Sequence, residues 1–287
     1  MKLVVQIPAF NEEKTIAQVI REVPAKISGI DSIKILVVND GSTDKTAQEA
    51  KKAGADKIFS HGSNKGLGLA FRNGIMEALK MGADIIVNID GDMQFNPGDI
   101  PKLIAPILNG EADLVTCTRF KDKAKSPKMP FIKKFGNGVF TKIISMLAKQ
   151  EFTDTQCGFR AYCRECALRM NLFGKHTYTQ EALLDAVEKG FRVREVSCEV
   201  RGQRQFGKSK VVESWFNYSL KAALIITRTI RDHRPLQFFG SIGLLLFLAG
   251  AVSAFVLWIR LLIEHKIDPF MWVVYADVIL IVLGFLL

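Results

Sequence analysis

The sequence has few tryptophans, tyrosines and cysteines, and it carries fewer acidic than basic residues. Aromatic residues make up 9% of the 287 residues, most of them phenylalanine, and the basic residues are scattered rather than gathered into a long arm. Nucleic acid is therefore a less favoured partner, because its recognition needs clustered basic and aromatic side chains. The net charge of +10 still favours an acidic partner, such as a nucleotide or an anionic lipid.

The five cysteines form an odd set without a repeated spacing, which predicts reduced thiols facing the cytosol. Cys163 and Cys166 have metal or redox spacing, but no second pair of Cys or His completes a site, so they are interpreted as cysteines at a helix start. The N-terminus does not resemble a signal peptide, because Met1 and Lys2 lead directly into a short strand.

Short apolar runs rich in β-branched residues alternate with segments of helical period. The predicted strands cover residues 3–7, 33–38, 57–60, 85–89, 114–117 and 193–200. The predicted helices cover about 14–23, 44–53, 66–81, 98–109 and 135–148. This alternation predicts βαβ crossovers and hence an α/β fold with an open, mostly parallel twisted sheet and flanking helices.

Acidic residues follow two of these strands. Asp40 comes after strand 33–38, and Asp90-Gly91-Asp92 follows strand 85–89. Ligands bind beyond the carboxyl ends of parallel strands, so Asp40 is expected to face the crevice and to bond ribose hydroxyls or a base N–H. Asp90 and Asp92 would repel each other without a cation, and with the oxygen of Gln94 they suit Mg²⁺ or Mn²⁺. A solvated Asp-Gly turn is the alternative.

Two stretches partly match phosphate-binding loops. Residues 66–71 lack the third glycine of the dinucleotide fingerprint, which argues against a hydride-transfer enzyme. Residues 202–209 match the letters of a Walker A loop, but Arg204, Gln205 and Phe206 are bulky where the backbone would wrap phosphate. A P-loop nucleotidase is therefore a minor alternative, and a basic loop over an anionic substrate is preferred.

Two further segments are candidates for the same edge of the sheet. Residues 121–134 carry six lysines without periodicity and are predicted to be a mobile surface loop. Glu181 and Asp185 lie four residues apart on one helix face. Glu181 is interpreted either as reaching the crevice or as an acid on the helix surface.

The C-terminal quarter has the composition of a membrane segment. Residues 211–231 are amphipathic and basic, which suits a helix in the headgroup layer and could also mediate self-association as a homo-oligomer. Residues 238–259 carry no charge and are long enough to cross a bilayer, and 269–287 are predicted as a second span containing Asp277. The excess of basic residues before the first span places the N-terminal part in the cytoplasm. The predicted domains are 1–210, 211–235 and 236–287.

Six motifs in order resemble those of family-2 glycosyltransferases with the GT-A fold, and among these the polyprenyl-phosphate (dolichol-phosphate) glucosyl or mannosyl synthases. They are Pro8-Ala-Phe-Asn-Glu12, Val38-Asn-Asp-Gly-Ser-Thr-Asp44, Asn64-Lys-Gly-Leu-Gly68, Asp90-Gly-Asp-Met-Gln94, Asp154-Thr-Gln-Cys-Gly-Phe-Arg160 and Gly207-Lys-Ser-Lys210. The resemblance covers about residues 1–235 and is more specific for fold and donor class than for the sugar. Two spans also occur at the end of many bacterial and archaeal relatives.

The resemblance implies roles for individual residues. The nucleotide would be held by Pro8, Phe10, Glu12, Asp40, Lys65, Gly66 and Asp90. The metal and donor diphosphate would be held by Asp90, Asp92 and Gln94. The lipid phosphate would be held by Arg119, Lys133, Asn137, Arg204 and Lys210, although Lys133 and Asn137 depart from the Arg and Ser of some relatives. Asp92 and Arg119 would be catalytic, with Glu181 and Asp154 in support.

The expected activity is that of a membrane-bound hexosyltransferase. It would move a sugar, with inversion and with Mg²⁺ or Mn²⁺, from a nucleotide-diphosphate sugar of the GDP-mannose or UDP-glucose type to a polyprenyl or dolichyl phosphate. A processive polysaccharide synthase would use the same donor site, but the chain lacks further spans and a Gln-x-x-Arg-Trp segment. A non-catalytic membrane scaffold is a third alternative.

Overall fold

The computed structural model describes residues 1–120, 131–172, 174, 178–198, 200–201, 224, 227–228, 230–231, 235–264 and 271–287, with the backbone alone for 131–136 and 264. The chain divides into two compact units, Met1–Ala222 and Ala223–Leu287. The division falls inside the predicted amphipathic segment, most of which lies outside the described residues.

A single sheet of seven strands organises the described part of the first unit. The strands are β1 (Lys2–Ala9), β2 (Ser32–Asn39), β3 (Lys57–Ser60), β4 (Ile85–Asn88), β5 (Leu114–Thr118), β6 (Arg160–Cys163) and β7 (Val193–Ser197). Their order is β3-β2-β1-β4-β6-β5-β7. β6 runs antiparallel to β4 and β5, and the other neighbours are parallel.

Helices connect the strands and cover the sheet. They are α1 (Ile16–Glu22), α2 (Thr46–Lys52), α3 (Leu67–Lys80), α4 (Ile100–Leu108), α5 (Phe131–Ala148), α6 (Arg164–Arg169) and α7 (Thr179–Glu188). A 3-10 turn, Pro97–Asp99, leads into α4. β4 is buried along its whole length, and Ile16, Val19 and Ile20 of α1 join the core as their helical spacing predicts.

The sequence-based assignment is wrong at two places in this unit. β6 was not predicted; it makes the sheet mixed, while the other strand pairs are parallel, in line with the mostly parallel sheet that was predicted. α5 begins at Phe131, so the predicted loop 121–134 ends earlier than expected; residues 121–130 lie outside the described residues. The spacing of Phe131, Ile132 and Phe135 already has helical period, and the lysines between them obscured it.

The second unit contains two apolar helices, α8 (Pro235–Glu264) and α9 (Met271–Leu286). They pack closely because glycines face each other: a Cβ at Gly243 would lie 2.5 Å from the carbonyl oxygen of Gly284. By length and composition, α8 could cross a membrane. The 16 residues of α9 extend only about 24 Å, short of the ~30 Å of a bilayer core, so the predicted second span is not established. Asp277 is buried in α9.

Candidate active site

The loops that follow β1, β2 and β4 are joined by hydrogen bonds at the carboxyl edge of the sheet. The hydroxyl of Thr15 donates to the carbonyl of Gly91 at 2.7 Å, and the N–H of Asp40 donates to the carbonyl of Ala9 at 2.9 Å. The N–H of Asn11 donates to Ser42 Oγ at 2.9 Å. These contacts bring the two acidic motifs predicted from strand ends to one edge, as expected for parallel strands.

The β1 loop carries three of the residues predicted to bind the nucleotide. Pro8 is buried within β1, Phe10 is half-buried, and Glu12 is buried. The N–H of Glu12 donates to Thr46 Oγ1 at 2.8 Å, and the Thr15 hydroxyl contacts Glu12 Oε2 at 3.3 Å. The described contacts fix this loop against the start of α2, and the nucleotide-binding roles stay predictions.

Asp40 lies differently from the expectation that it faces an open crevice. Its side chain is only 4% exposed, and its two carboxylate oxygens accept the N–H groups of Lys65 and Gly66, each at 2.9 Å. Its Oδ1 also lies 2.6 Å from His61 Nδ1. The negative charge of the carboxylate strengthens these hydrogen bonds from the loop 61–66. Asp40 therefore holds the Lys65–Gly66 segment in place at the start of α3.

His61 extends this contact into α3. The amide of Asn73 lies 2.8 Å from His61 Nε2. An amide nitrogen donates, so Nε2 is the acceptor and Nδ1 carries the hydrogen that is given to Asp40. Neither His61 nor Asn73 was singled out from the sequence, since a single histidine in a loop has no pattern that indicates a partner.

The turn after β4 presents two carboxylates. Met93 has φ of 63°, which reverses the chain, and Asp92 Oδ1 accepts the N–H of Gln94 at 3.1 Å. Asp90 lies over Gly158, because a Cβ built on that glycine would be 3.1 Å from Asp90 Oδ2. The backbone of Gln94 is also tied by its carbonyl, which accepts the N–H of Arg201 at 2.9 Å. A side chain at 158 would crowd Asp90, and the carboxylate would have to shift to make room for it.

The donor set at this turn fits a hard divalent cation. Asp90 and Asp92 are half-buried and offer only oxygen ligands. Among the described residues, no cluster of three or more His, Cys, Asp or Glu side chains could hold a metal. Phosphate and water would supply further oxygen ligands to a cation bound here, which is how Mg²⁺ is usually held beside nucleotides. The predicted ligand role of the Gln94 side chain stays a prediction.

Arg119 follows β5 and forms a two-pronged ion pair with Asp154. Its Nε donates to Asp154 Oδ2 at 2.5 Å and its Nη2 donates to Oδ1 at 2.9 Å. Asp154 is fully buried, and the Arg119 side chain is 15% exposed. Burial disfavours the charged guanidinium, but the hydrogen bonds and charge of Asp154 outweigh this and raise the pKa of Arg119. One edge of the guanidinium is thereby fixed by the protein.

The other predicted residues have different outcomes. Glu181 is buried in α7 and its Oε2 accepts the N–H of Gly174 at 3.0 Å, so the alternative of a surface acid is wrong. Asn137 is buried in α5, and among the described residues its Oδ1 has no hydrogen-bond partner. The Lys133 side chain, Arg204, Lys210 and the Walker-like stretch 202–209 lie outside the described residues.

A buried polar group close to Asp90 was not predicted from the sequence. It consists of Gln6 of β1, Asn88 of β4 and Tyr178 at the start of α7. Burial raises the pKa of Tyr178 well above its ordinary value, and the negative charge of Asp90 raises it further. This group is not visible in the sequence for two reasons. Asn88 lies in the apolar run 85–89, where a single amide does not change the strand pattern. Its partner Tyr178 lies ninety residues away in the sequence.

Comparisons with known proteins match this architecture. The profile for glycosyl transferase family 2 matches residues 4–169. A UDP-N-acetylglucosamine--dolichyl-phosphate N-acetylglucosaminyltransferase of Methanococcus voltae is 33% identical over 209 residues, which cover 66% of this chain and 82% of that protein. A dodecaprenyl-phosphate galacturonate synthase of Rhizobium johnstonii is 26% identical over 269 residues, which cover 90% of this chain and 75% of that protein.

A crystal structure shows the likeness of fold. Glucosyl-3-phosphoglycerate synthase from Mycobacterium tuberculosis, in complex with Mn²⁺, uridine diphosphate and phosphoglyceric acid, matches with a TM-score of 0.60 and 22% identity. The match covers 81% of this chain and 78% of that chain. It supports a GT-A-like α/β fold with a mixed sheet and flanking helices.

Proposed function

The chain belongs to glycosyl transferase family 2 and is a glycosyltransferase, and from this premise we propose that it moves a hexose from a nucleotide-diphosphate sugar to a polyprenyl or dolichyl phosphate. Relatives named for dolichyl-phosphate and dodecaprenyl-phosphate products support the acceptor class. The apolar helix α8 supports a reaction at a membrane surface, where such a lipid resides.

The observation that carries the proposal is the position of Asp90 and Asp92. They follow β4 at the edge where the β1 and β2 loops also meet, and they are held there by Thr15 and Gly158. Two carboxylates suit a divalent cation that is shared with a diphosphate. When bound, Mg²⁺ or Mn²⁺ would neutralise the charge that develops on the departing nucleoside diphosphate.

The acceptor supplies its own nucleophile. A phosphate monoester is an anion near neutral pH, with a second pKa of about 6, so a strong general base is dispensable. A phosphate oxygen attacks the anomeric carbon, the bond from that carbon to the donor diphosphate breaks, and the configuration inverts. Glu181 is proposed to support the site through its contact with Gly174 rather than to remove a proton.

Arg119 is proposed to bind the acceptor phosphate. Asp154 occupies its Nε and Nη2 edge, which sets the direction of the guanidinium before the lipid arrives. Asn137, Lys133, Arg204 and Lys210 are proposed as further phosphate contacts. The nucleotide is proposed to contact Pro8, Phe10, Glu12, Asp40, Lys65 and Gly66, with Gln94 beside the metal.

For the membrane arrangement we propose that α8 and α9 both span and that the catalytic unit is cytoplasmic. The close glycine contacts between α8 and α9 support a hairpin, and the basic residues before α8 support the orientation. A homo-oligomer formed through the basic segment 211–231 is part of the same proposal.

The test compares Asp92→Asn with a matched variant, Asp31→Asn. Asp31 is an exposed carboxylate whose partner is the N-terminal amine of Met1, at the opposite edge of the sheet. The full chain in detergent is supplied with Mn²⁺, a polyprenyl phosphate and, in separate reactions, radiolabelled UDP-glucose, UDP-N-acetylglucosamine or GDP-mannose. Transfer is read as label in the organic phase. Asp92→Asn should lower the rate about 100-fold or more, since a metal contributes several kcal/mol, and Asp31→Asn should not.

The separate donors also identify the sugar and base. Label transferred from one donor and not the others assigns both. Metal-dependent transfer by Asp92→Asn at close to the normal rate would refute the assignment of the metal site. Label appearing as a polymer rather than as a single-sugar lipid would indicate a processive synthase.

A further inference from the structure

Buried amides connect the centre of the sheet to the metal-binding turn. Asn88, the last residue of β4, lies two positions before Asp90 and is fully buried. Its Oδ1 accepts from Gln6 Nε2 at 2.8 Å, and its Nδ2 donates to the carbonyl of Gly158 at 2.8 Å and to Tyr178 Oη at 2.7 Å. Burying such groups is unfavourable unless they are bonded, so each member fixes the position of the next.

Tyr178 is held from two sides. Its ring stacks on Phe71, with ring centroids 3.6 Å apart and ring planes 4° from parallel. Its hydroxyl accepts from Asn88 and donates to the Gly158 carbonyl at 3.2 Å. The aromatic stack sets the plane of the ring, and the hydrogen bonds set the depth of the hydroxyl.

The hydroxyl of Tyr178 and the carboxylate of Asp90 both lie beside Gly158. A Cβ on Gly158 would lie 3.1 Å from Tyr178 Oη and 3.1 Å from Asp90 Oδ2. A side chain at position 158 would therefore press on the phenol and on the carboxylate at once. The Gly158 carbonyl accepts two hydrogen bonds, one from the Asn88 amide and one from the Tyr178 hydroxyl.

We propose that Tyr178 is a positioning residue for Asp90, and that its hydroxyl, together with Gly158, fixes the carboxylate that binds the divalent cation. The proposal rests on the assignment of the metal site under the proposed function. It assigns to the residue immediately before α7 a task on the donor side of the reaction. Groups that orient a metal ligand commonly change metal affinity 10- to 100-fold when they are removed.

The test measures Mn²⁺ binding to the full chain in detergent, from the electron paramagnetic resonance signal of free Mn²⁺. Tyr178→Phe removes the hydroxyl and keeps the stack on Phe71. The matched control is Tyr162→Phe. Tyr162 is also buried, and its ring centroid lies 5.7 Å from that of Phe71. It is paired with Ile86, two residues before Asn88 in β4 and thus farther from the metal-binding turn. Tyr178→Phe should weaken Mn²⁺ binding about 10-fold, and Tyr162→Phe should leave it unchanged.

A second variant keeps the proposal testable if Tyr178→Phe does not fold. Gly158→Ala keeps Tyr178 but places a methyl group against both Asp90 and Tyr178, so it should also weaken Mn²⁺ binding. Thermal melting is recorded for every variant, because a purely structural role would lower melting without selectively lowering Mn²⁺ affinity.

The outcomes separate the two proposals. If the wild-type chain binds Mn²⁺ and Asp92→Asn does not, the metal site is supported. If Tyr178→Phe then binds Mn²⁺ as tightly as wild type, the positioning role is overturned and the metal site stands. Gly158→Ala replaces it in this comparison if Tyr178→Phe does not fold. If Asp92→Asn binds Mn²⁺ as tightly as wild type, the metal assignment fails, and the positioning role fails with it.

Discussion

Two ion pairs in the catalytic unit share one geometry and differ in burial. Arg119 holds Asp154 through Nε and Nη2, and Arg192 holds Asp113 through the same two nitrogens, at 3.0 and 2.9 Å. Asp154 is fully buried, whereas Arg192 is 58% and Asp113 is 22% exposed. Replacing each arginine by methionine removes the same charge and the same two hydrogen bonds to the carboxylate, and it keeps most of the side-chain length. Arg192→Met also removes a hydrogen bond to the carbonyl of Gly110.

The expected losses of stability differ between the two variants, because water can replace the guanidinium of exposed Arg192 but not that of Arg119 beside buried Asp154. Arg119→Met leaves the Asp154 carboxylate in the protein interior with the main-chain N–H groups of residue 119 and Gln156 but without its guanidinium partner. Leaving a buried charge unpaired destabilises by about 3–5 kcal/mol. Arg192→Met should have a much smaller effect, since Asp113 can be hydrated. Arg119→Met combined with Asp154→Leu should recover most of the lost stability, because an apolar pair can replace a buried ion pair.

Hydrogen exchange followed by mass spectrometry measures this without substrate and without assuming reversible unfolding. In the full chain in detergent, peptides from β5 and from β6 should exchange about 100- to 5,000-fold faster in Arg119→Met, since about 1.4 kcal/mol corresponds to a factor of ten. A change below about fivefold, or equal changes in Arg119→Met and Arg192→Met, would refute the claim that burial sets the strength of this pair.

Three other variants test separate parts of the structure. Gly41→Ala should weaken binding of uridine diphosphate in calorimetry, because its Cβ would lie 2.3 Å from the Ser63 backbone and displace the loop that Asp40 holds; Gly54→Ala, also at positive φ but with open space, should not. Hydrogen bonds from Lys57 and Lys80 lower the pKa of Glu77. The stability lost in Glu77→Gln should therefore be greater at pH 7 than at pH 3 in urea titrations, because the contribution of the carboxylate is lost as the pH falls through the lowered pKa. Gly284→Leu should lower the aggregation temperature in detergent, because a Cβ there would lie 2.6 Å from the carbonyl oxygen of Gly243, whereas Gly240→Leu meets open space and should not.

The sequence was sufficient for the parts of the fold that follow from local pattern. Continuous apolar runs such as 85–89 predict strands buried on both faces, and the helices between them predict parallel pairing. From that alone, Asp40, Asp90 and Asp92 were expected at one edge, and the hydrogen bonds between their loops confirm it. The resemblance to family-2 glycosyltransferases is confirmed by the profile match over residues 4–169.

Partners that depend on tertiary contact could not be predicted. Asp40 was expected to be open to a ligand, but the acceptors needed by Lys65 and Gly66 become visible only when their loop is placed against it. β6 has only four residues, and one of them is Arg160. An arginine in a sequence usually indicates an exposed position, yet Arg160 is fully buried. Arg160 is tolerated there because Thr116, Thr155 and Thr179 provide oxygen acceptors for its guanidinium.

The antiparallel direction of β6 explains why distant residues meet at the site. A parallel strand between β4 and β5 would begin at the far edge of the sheet, and the residues before it would lie away from Asp90. Because β6 runs the other way, the segment 154–159 enters the sheet from the ligand edge, where Asp154 reaches Arg119 and Gly158 reaches Asp90. One short segment thus positions both the donor-side carboxylate and the arginine proposed for the acceptor. A displacement of this segment should therefore affect donor and acceptor binding together.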